Sequence, residues 1–275
     1  MIKKQDINPF FSIIVAVYNG EKTLQDCIDS IKIQSFQDFE LIVIDGASKD
    51  GTIDVVRKNQ RFINKYISEP DSGIYSAWNK AIKIAEGKWI CFLGCDDILW
   101  DQNVLYRVWE ESHVIPIDKR VIYGEMMILS DKGEPLYRVG KDWSLIKDDF
   151  LGVMCLPHPG MMHHRDLFDE HGCFNESFKI AGDYEFLLRE LKFKSAHFMH
   201  GSVNAGMRQG GISSSQSNAL KSLHESRLAQ KMHGINVPRF IWLCALTRVY
   251  IRFIIKSIVG QENSDLFIEW LNKFR

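Results

Sequence analysis

The feature that most constrains the chain is the run Phe11-Ser-Ile-Ile-Val-Ala-Val17, apolar except for one serine and rich in β-branched side chains. So short and continuous a run has no polar face to turn to water, so it reads as a strand buried on both faces of a parallel sheet. Phe39-Glu-Leu-Ile-Val-Ile44 and Lys88-Trp-Ile-Cys-Phe-Leu93 repeat the pattern, with a shorter strand at Tyr66-Ile67-Ser68. Between these runs Leu24, Ile28 and Ile31 recur at helical spacing, and a second helix starts around Asp50-Gly51-Thr52. Asp71-Ser72-Gly73 is a turn that caps a third helix from Ile74 to about Ala85. Strand and helix alternating at this rhythm give right-handed βαβ units. In such sheets ligands bind beyond the carboxyl ends of the strands. Asn19, Asp45 and Asp96-Asp97 all fall there. Loops use Asp and Gly for turn geometry alone, but three strand ends bearing acids or amides on one edge point to a site.

From Arg120 the pattern changes. Val121–Tyr123 and Met126–Leu129 read as strands followed by a turn at Asp131-Lys-Gly133, and Lys141–Leu156 reads as irregular. A helix from about Asp183 to Leu191 leads into a strand over Ala196–Met199. Beyond Ser213 the chain turns helical and more basic. Val237–Val259 is apolar, yet Arg239, Arg248, Arg252 and Lys256 interrupt it, which is too much charge for a spanning helix of about 20 apolar residues. The last three recur every fourth residue and form a basic stripe on an apolar helix. That is the pattern of a helix lying in a lipid interface, with Phe240, Trp242, Tyr250 and Phe253 as interfacial aromatics. A helix packed on the core with a solvated basic edge is the competing reading. A formal net charge of -1 leaves no global basic field for nucleic acid. The six cysteines, without C-x-x-C spacing, read as reduced core thiols of a cytosolic protein. The polar stretch Met1–Pro9 has no apolar region of the secretory kind.

Adjacent carboxylates after a hydrophobic strand, Asp96 and Asp97, suit Mg²⁺ or Mn²⁺, hard cations that take oxygen ligands and bridge to phosphate oxygens. An acidic helix N-cap looks the same in sequence, and the pair reads as preceding a helix, so capping competes. Asp183, in Ala181-Gly-Asp-Tyr-Glu185, stands at a helix start. It suits a general base on a hydroxyl or, equally, a carboxylate favouring the helix dipole. His158, His163 and His164 cluster without the spacing of a two-metal site.

Five stretches taken together resemble family 2 glycosyltransferases with the GT-A fold: SIIVAVYNG from Ser12, FELIVIDGASKDGT from Phe39, EPDSGIYSAWNK from Glu69, GKWICFLGCDD from Gly87 and GDYEFLLR from Gly182. They stand in the family's order across about residues 11–215, and Asp71-Ser-Gly-Ile-Tyr75 is nearest the branch that builds bacterial capsule, O-antigen and exopolysaccharide. The resemblance implies an α/β fold, a Rossmann-like, mostly parallel sheet flanked by helices with a C-terminal helical extension. Residues 1–215 would be the GT-A domain, its nucleotide-binding half about 10–100 and its acceptor half 101–215, and residues 216–275 a helical extension associating with membrane.

Residue by residue, the resemblance implies that Ala16, Val17, Tyr18 and Asp45 hold base and ribose, with Asp71 against them and Asn79-Lys80 shaping that pocket. Asp97 would be the direct metal ligand and Asp96 a ribose, sugar or metal contact. Asp183 would be the base and Arg208, before the Gly210-Gly-Ile-Ser213 loop, a phosphate ligand. His158 would meet the acceptor, with Glu185 as a fallback that helical spacing turns away from Asp183. Apart from the resemblance, Trp143 in the irregular segment offers a sugar-stacking face, most of the seven tryptophans reading as core. The activity implied is inverting, Mn²⁺- or Mg²⁺-dependent hexosyl or N-acetylhexosaminyl transfer. The donor is a nucleotide sugar, UDP-sugar favoured over GDP- or dTDP-sugar. The acceptor is a lipid-linked saccharide at the cytosolic membrane face, with the enzyme a peripheral protein there. Two positions depart from the family pattern: Gly46 follows Asp45 where a second acid is frequent, and Gly182 precedes Asp183 where Glu is common. A non-catalytic nucleotide-sugar or glycan-binding module is the alternative. A nucleotidyltransferase is weaker, since no glycine-rich phosphate loop with a basic residue follows the first strand.

Overall fold

A computed structural model describes residues 8–211 and 216–259. Four parallel strands form its first half. They are β1 (Phe11–Val17), β2 (Phe39–Asp45), β3 (Lys65–Ser68) and β4 (Trp89–Gly94), in the spatial order β3-β2-β1-β4. Helices α1 (Leu24–Lys32), α2 (Thr52–Asn59) and α3 (Ile74–Ile84) make the crossovers. The register sets Val17 beside Asp45 and Ala16 beside Gly94, so the three strand ends lie level.

The alternation of side chains divides the core into two layers. Ile14, Ile42, Ile44, Ile90 and Phe92 face α3 on one side. Ile13, Val15, Leu41, Val43, Cys91 and Leu93 face α1 on the other. Most of these side chains are fully buried, at roughly 1.5–3 kcal/mol each for a large aliphatic or aromatic group. A sheet held that firmly tolerates ill-solvated acids at its edge.

The second half extends the same sheet with mixed pairing. Short β5 (Asp97–Leu99) and α4 (Val104–Val114) follow β4. They lead to β6 (Val121–Leu129), β7 (Pro135–Val139), α5 (Trp143–Phe150), β8 (Met162–His164) and α6 (Asp166–His171). The chain then forms α7 (Gly182–Leu191), β9 (His197–Arg208), α8 (Gln216–Met232) and α9 (Phe240–Val259). β8 joins β4 antiparallel and links it to β6, and β6 pairs parallel with β9, whose far end pairs antiparallel with β5.

Four expectations change. The two strands foreseen over 121–129 are one, with Gly124 at a point where a Cβ would lie 2.6 Å from the Ser202 carbonyl. The segment taken as irregular contains α5, capped by Asp142, whose carboxylate accepts the Ser144 N–H at 2.8 Å. The 196–199 strand runs on to Arg208, so Arg208 ends a strand. Cys173 is exposed and belongs to no core.

Candidate active site

Asp96 and Asp97 leave β4 into a strand, not a helix, which removes N-capping as their explanation. Their carboxylates converge on Gly94: a Cβ there would lie 2.8 Å from Asp96 Oδ1 and 3.2 Å from Asp97 Oδ2. Asp97 is the more buried of the two and accepts the Gly94 N–H at 2.7 Å. Burial, and then the charge of Asp96, push its carboxyl up to about 8 against that one hydrogen bond. Two hard oxygen donors that disfavour each other's charge fit a divalent cation, and two carboxylates leave coordination positions for phosphate oxygens. The backbone returns over this pair at Gly211, next to Asp96 Oδ2.

At the neighbouring strand end Asp45 is fully buried. Its carboxylate accepts the Ser48 N–H at 3.2 Å, the Ser48 hydroxyl, and the Ser68 hydroxyl at 2.6 Å. Ser48 Oγ in turn accepts the Asn19 N–H at 2.7 Å, and Asn19 Oδ1 accepts the Lys49 N–H at 2.9 Å, so the β1 and β2 loops are sewn together. Asn19 and Ala47 both take positive φ there, +52° and +62°, strain of the kind that collects at functional sites. Ala16 and Val17 are buried beneath, whereas Tyr18 stands 61% exposed. Gly46 explains the missing second acid: a Cβ there would lie 2.8 Å from Asp71 Oδ2 and 3.4 Å from the Tyr18 ring. Asp71 thus brings its carboxylate from β3's side into the space a larger residue would fill.

Asp183 opens α7 and is partly buried. Its Oδ1 accepts the Tyr75 hydroxyl at 3.1 Å, a proton shared with the Ile180 carbonyl at 2.7 Å. Burial raises the carboxyl to about 6, the Tyr184 N–H and Tyr75 hydroxyl oppose this, and the Glu225 charge adds to it. A simple helix-dipole acid would be shifted downward. Gly182 is the second departure explained: a Cβ there would lie 2.7–2.9 Å from the Tyr75 ring. Because α3 starts just after the carboxyl end of β3, Tyr75 brings Asp183 to the same edge as Asp45 and Asp96-Asp97.

Several predicted contacts are engaged elsewhere. Asn79 is buried, donates to the Phe174 carbonyl and Glu176 Oε1 at 2.9 Å each, and accepts the Phe174 N–H, so it fastens α3 to the 174–176 loop. Lys80 binds Glu69 and the Pro70 carbonyl, both at 3.0 Å. His158 stacks against both Trp78 and Phe92 in the core, where burial lowers it to about 4 and leaves its Nε2 unpartnered among the described residues. Trp143 is buried edge-on against Phe150 and lines a cleft of about 270 Å³ with Lys119 and His197. Glu185 lies in a buried pair with Arg189 at 2.5 Å and His233 at 2.8 Å. His158 and Trp143 thus sit in ring contacts and Glu185 in ion pairs, the last because two residues along α7 turn it by roughly 200° off Asp183's face. Arg208 pairs with Asp26 of α1 at 2.5 Å rather than pointing free. Ile212 and Ser213 of its following loop lie outside the described residues. Tyr75, which holds Asp183, and Glu225, which holds the turn before it, were not foreseen. Tyr75 stands inside a quoted motif, but nothing local marks Glu225.

A family model described as glycosyl transferase family 2 matches residues 12–171. A PGL/p-HBAD biosynthesis glycosyltransferase of Mycobacterium bovis is 31% identical over 212 residues, covering 74% of this chain and 79% of that one. A Rickettsia felis glycosyltransferase is 30% identical over 213 residues, 72% of this chain and 35% of its own length. S. aureus TarS 1-349 in complex with UDP-GlcNAc superposes with TM-score 0.66 at 20% identity, covering 95% and 78% of the chains. The Pyrobaculum calidifontis mannosyltransferase PcManGT, in complex with GDP-Man and Mn²⁺, gives 0.65 at 13% identity over 98% and 81%. At these identities the two superpositions establish a shared GT-A fold.

Proposed function

The chain belongs to glycosyl transferase family 2, and from that premise we propose that it is an inverting, metal-dependent enzyme that transfers a sugar from a UDP-sugar to a lipid-linked saccharide at the cytosolic face of a membrane. The observation that carries the reading is Asp183: a partly buried carboxyl, raised to about 6, at the sheet edge that also bears Asp96-Asp97. A carboxylate with that proton affinity is charged at neutral pH and basic enough to accept a hydroxyl proton. Asp183 takes the proton as the acceptor oxygen attacks the anomeric carbon. The bond from that carbon to the diphosphate breaks on the opposite face, which inverts its configuration. Tyr18, Asp45 and Asp71 orient base and ribose, and the buried Ala16-Val17 backbone forms the floor. A divalent cation held by Asp97 and Asp96 would neutralise charge on the leaving diphosphate.

Nucleotide-sugar donors are bound by both structural neighbours, UDP-GlcNAc by TarS and GDP-Man with Mn²⁺ by PcManGT. This supports the donor class, and UDP-sugar is the favoured member. For the membrane surface the support is α9. No helix among the described residues is long and apolar enough to cross a membrane. Even so, Phe240, Leu243, Tyr250, Ile251 and Ile254 are exposed along α9, with exposed Arg248 beside them. The side chains of Arg252 and Lys256, the rest of the basic stripe, lie outside the described residues.

Thermal unfolding against a panel of UDP-, GDP- and dTDP-sugars with and without Mn²⁺ tests the reading. A bound donor at about 100 times its Kd adds roughly 2.7 kcal/mol of stability. A UDP-sugar should raise Tm only with the metal, and Asp97→Ala should remove that metal dependence. Full activity in Asp97→Ala would overturn the metal assignment.

A further inference from the structure

The turn before Asp183 is held by a residue outside the matched residues 12–171. Glu225, on α8, accepts three successive backbone N–H groups: Lys179 at 3.1 and 3.0 Å to its two oxygens, Ile180 at 2.8 Å and Ala181 at 3.0 Å. Consecutive N–H groups converging on one carboxylate form an anion nest, and charge-assisted hydrogen bonds of this kind are stronger than neutral ones. Ala181, the N-cap of α7, makes no side-chain cap of its own, and its N–H and the two before it, which lead into the helix, are taken by Glu225 of α8. From the opposite side the Tyr75 hydroxyl holds the Ile180 carbonyl. One turn is thus gripped through its N–H groups by α8 and through a carbonyl by α3, and the next residues carry Asp183.

We infer that Glu225 is a positioning residue for the transfer reaction, making the C-terminal helical extension part of the active site's framework. This rests on the proposed reading of Asp183 as base. Other contacts of α8 and of the residue after it do not involve Glu225: Gln230 donates to the Gly152 carbonyl at 2.6 Å, and His233, just past the helix, meets Glu185 at 2.8 Å. Removing the carboxylate therefore loosens the turn while α8 stays docked. The charge of Glu225 also raises the proton affinity of Asp183, opposite to the effect of Tyr75. The other acids of α7 are paired, Glu185 with Arg189 and His233, and Glu190 with Arg120, His171 and Lys194.

The test compares full-length Glu225→Gln, Glu225→Asp and Asp183→Asn with the parent by amide hydrogen exchange, and by steady-state release of nucleotide from the sugar nucleotide giving the largest thermal shift. In Glu225→Gln the Lys179–Ala181 amides should exchange at least about 10-fold faster with α8 still protected. The kcat should fall about 10- to 100-fold, as sub-ångström misplacement does, with donor KM within about twofold. The acid limb of its kcat profile should move to lower pH, and Glu225→Asp should recover part of the loss. Unchanged exchange at the turn, or a kcat and pH profile like the parent's while Asp183→Asn is inactive, would overturn the inference. A fully active Asp183→Asn would instead remove the base reading, and turn exchange would still report whether Glu225 orders the loop.

Discussion

The two halves of the sheet hold their acids in different ways. Along the ends of the parallel strands three carboxylates are fixed by close neighbours: Asp97 by the Gly94 N–H, Asp71 by the Gly73 N–H at 3.0 Å, and Asp45 by Ser48 and by Ser68 of the adjoining strand. In the other half Asp183 is fixed by Tyr75, 108 residues earlier, and through its turn by Glu225, 44 residues beyond Ala181. A strand end with a tight loop defines a binding edge almost by itself. Asp183, the proposed base, has to be brought to that edge by tertiary structure, so its geometry depends on three segments agreeing. The same contrast accounts for both departures from the family pattern. Gly46 makes room for Asp71 and Gly182 for Tyr75, so one short segment, 71–75, reaches the proposed nucleotide edge with one residue and supports the proposed base with another.

The widest separation between the halves is expected from Asp183→Asn against Asp97→Ala. Loss of the base should lower kcat by about 10²–10⁴-fold with donor affinity unchanged, whereas Asp97→Ala should show its loss first in metal-dependent donor binding. Asp183→Asn should also stabilise the protein. The folded-state carboxyl titrates at about 6 against an ordinary 3.8, so above pH 6 folding holds a charge that burial disfavours. At pH 8 the amide should raise stability by about 1–3 kcal/mol, and the gain should vanish as pH falls below about 4, where both states are protonated. An Asp183→Asn protein that is inactive and less stable at pH 8 would make this residue a structural cap. In the parent, kcat should fall with decreasing pH through about 6 as Asp183 takes up its proton.

Tyr75→Phe probes the long-range support more gently. It removes the hydroxyl that lowers Asp183's proton affinity while keeping the ring against Gly182. The kcat should fall about tenfold, on the scale of one hydrogen bond of roughly 1.4 kcal/mol. The acid limb should move to higher pH, the reverse of Glu225→Gln. Limbs moving the same way in both variants would break the picture of two opposed supports.

How much could be read from the residues follows the same divide. The strands of the parallel half were legible because burial on both faces leaves a continuous apolar signature, and their acids were legible because strand ends are where such sheets bind. β5 and the Trp143 helix were not, since a three-residue strand carries no period and α5 interleaves its buried Trp143, Ile146 and Phe150 with polar residues over only eight positions. Asn79, His158 and Glu185 were assigned from the motifs they stand in or near, which carry no sign of the partners the fold gives them: the Phe174 backbone, the Trp78 and Phe92 rings, and Arg189 with His233. For Glu225 no local pattern exists to find: its partners are backbone N–H groups, which have no side-chain signature.

Asn79→Ala and Lys80→Ala complete the comparison with the smallest effects, because both residues support the parallel half from outside the pocket. Asn79 is buried with all of its amide engaged, so its loss leaves the Phe174 N–H and carbonyl unpartnered and should cost about 1–3 kcal/mol, read as a lower Tm. Lys80 is only partly buried and Glu69 is 56% exposed, so Lys80→Ala should cost no more than about 1 kcal/mol. Its remaining contact, the Pro70 carbonyl, anchors the residue before Asp71. A looser anchor lets the Asp71 carboxylate drift from Gly46, which weakens donor binding without altering the base. Donor Kd should therefore rise by less than about threefold, with kcat and its acid limb unmoved, in an isothermal titration paired with steady-state kinetics. A loss of donor binding beyond tenfold would mean that Lys80 reaches the donor's charge directly, and the nucleotide edge would then extend one helical turn further along α3.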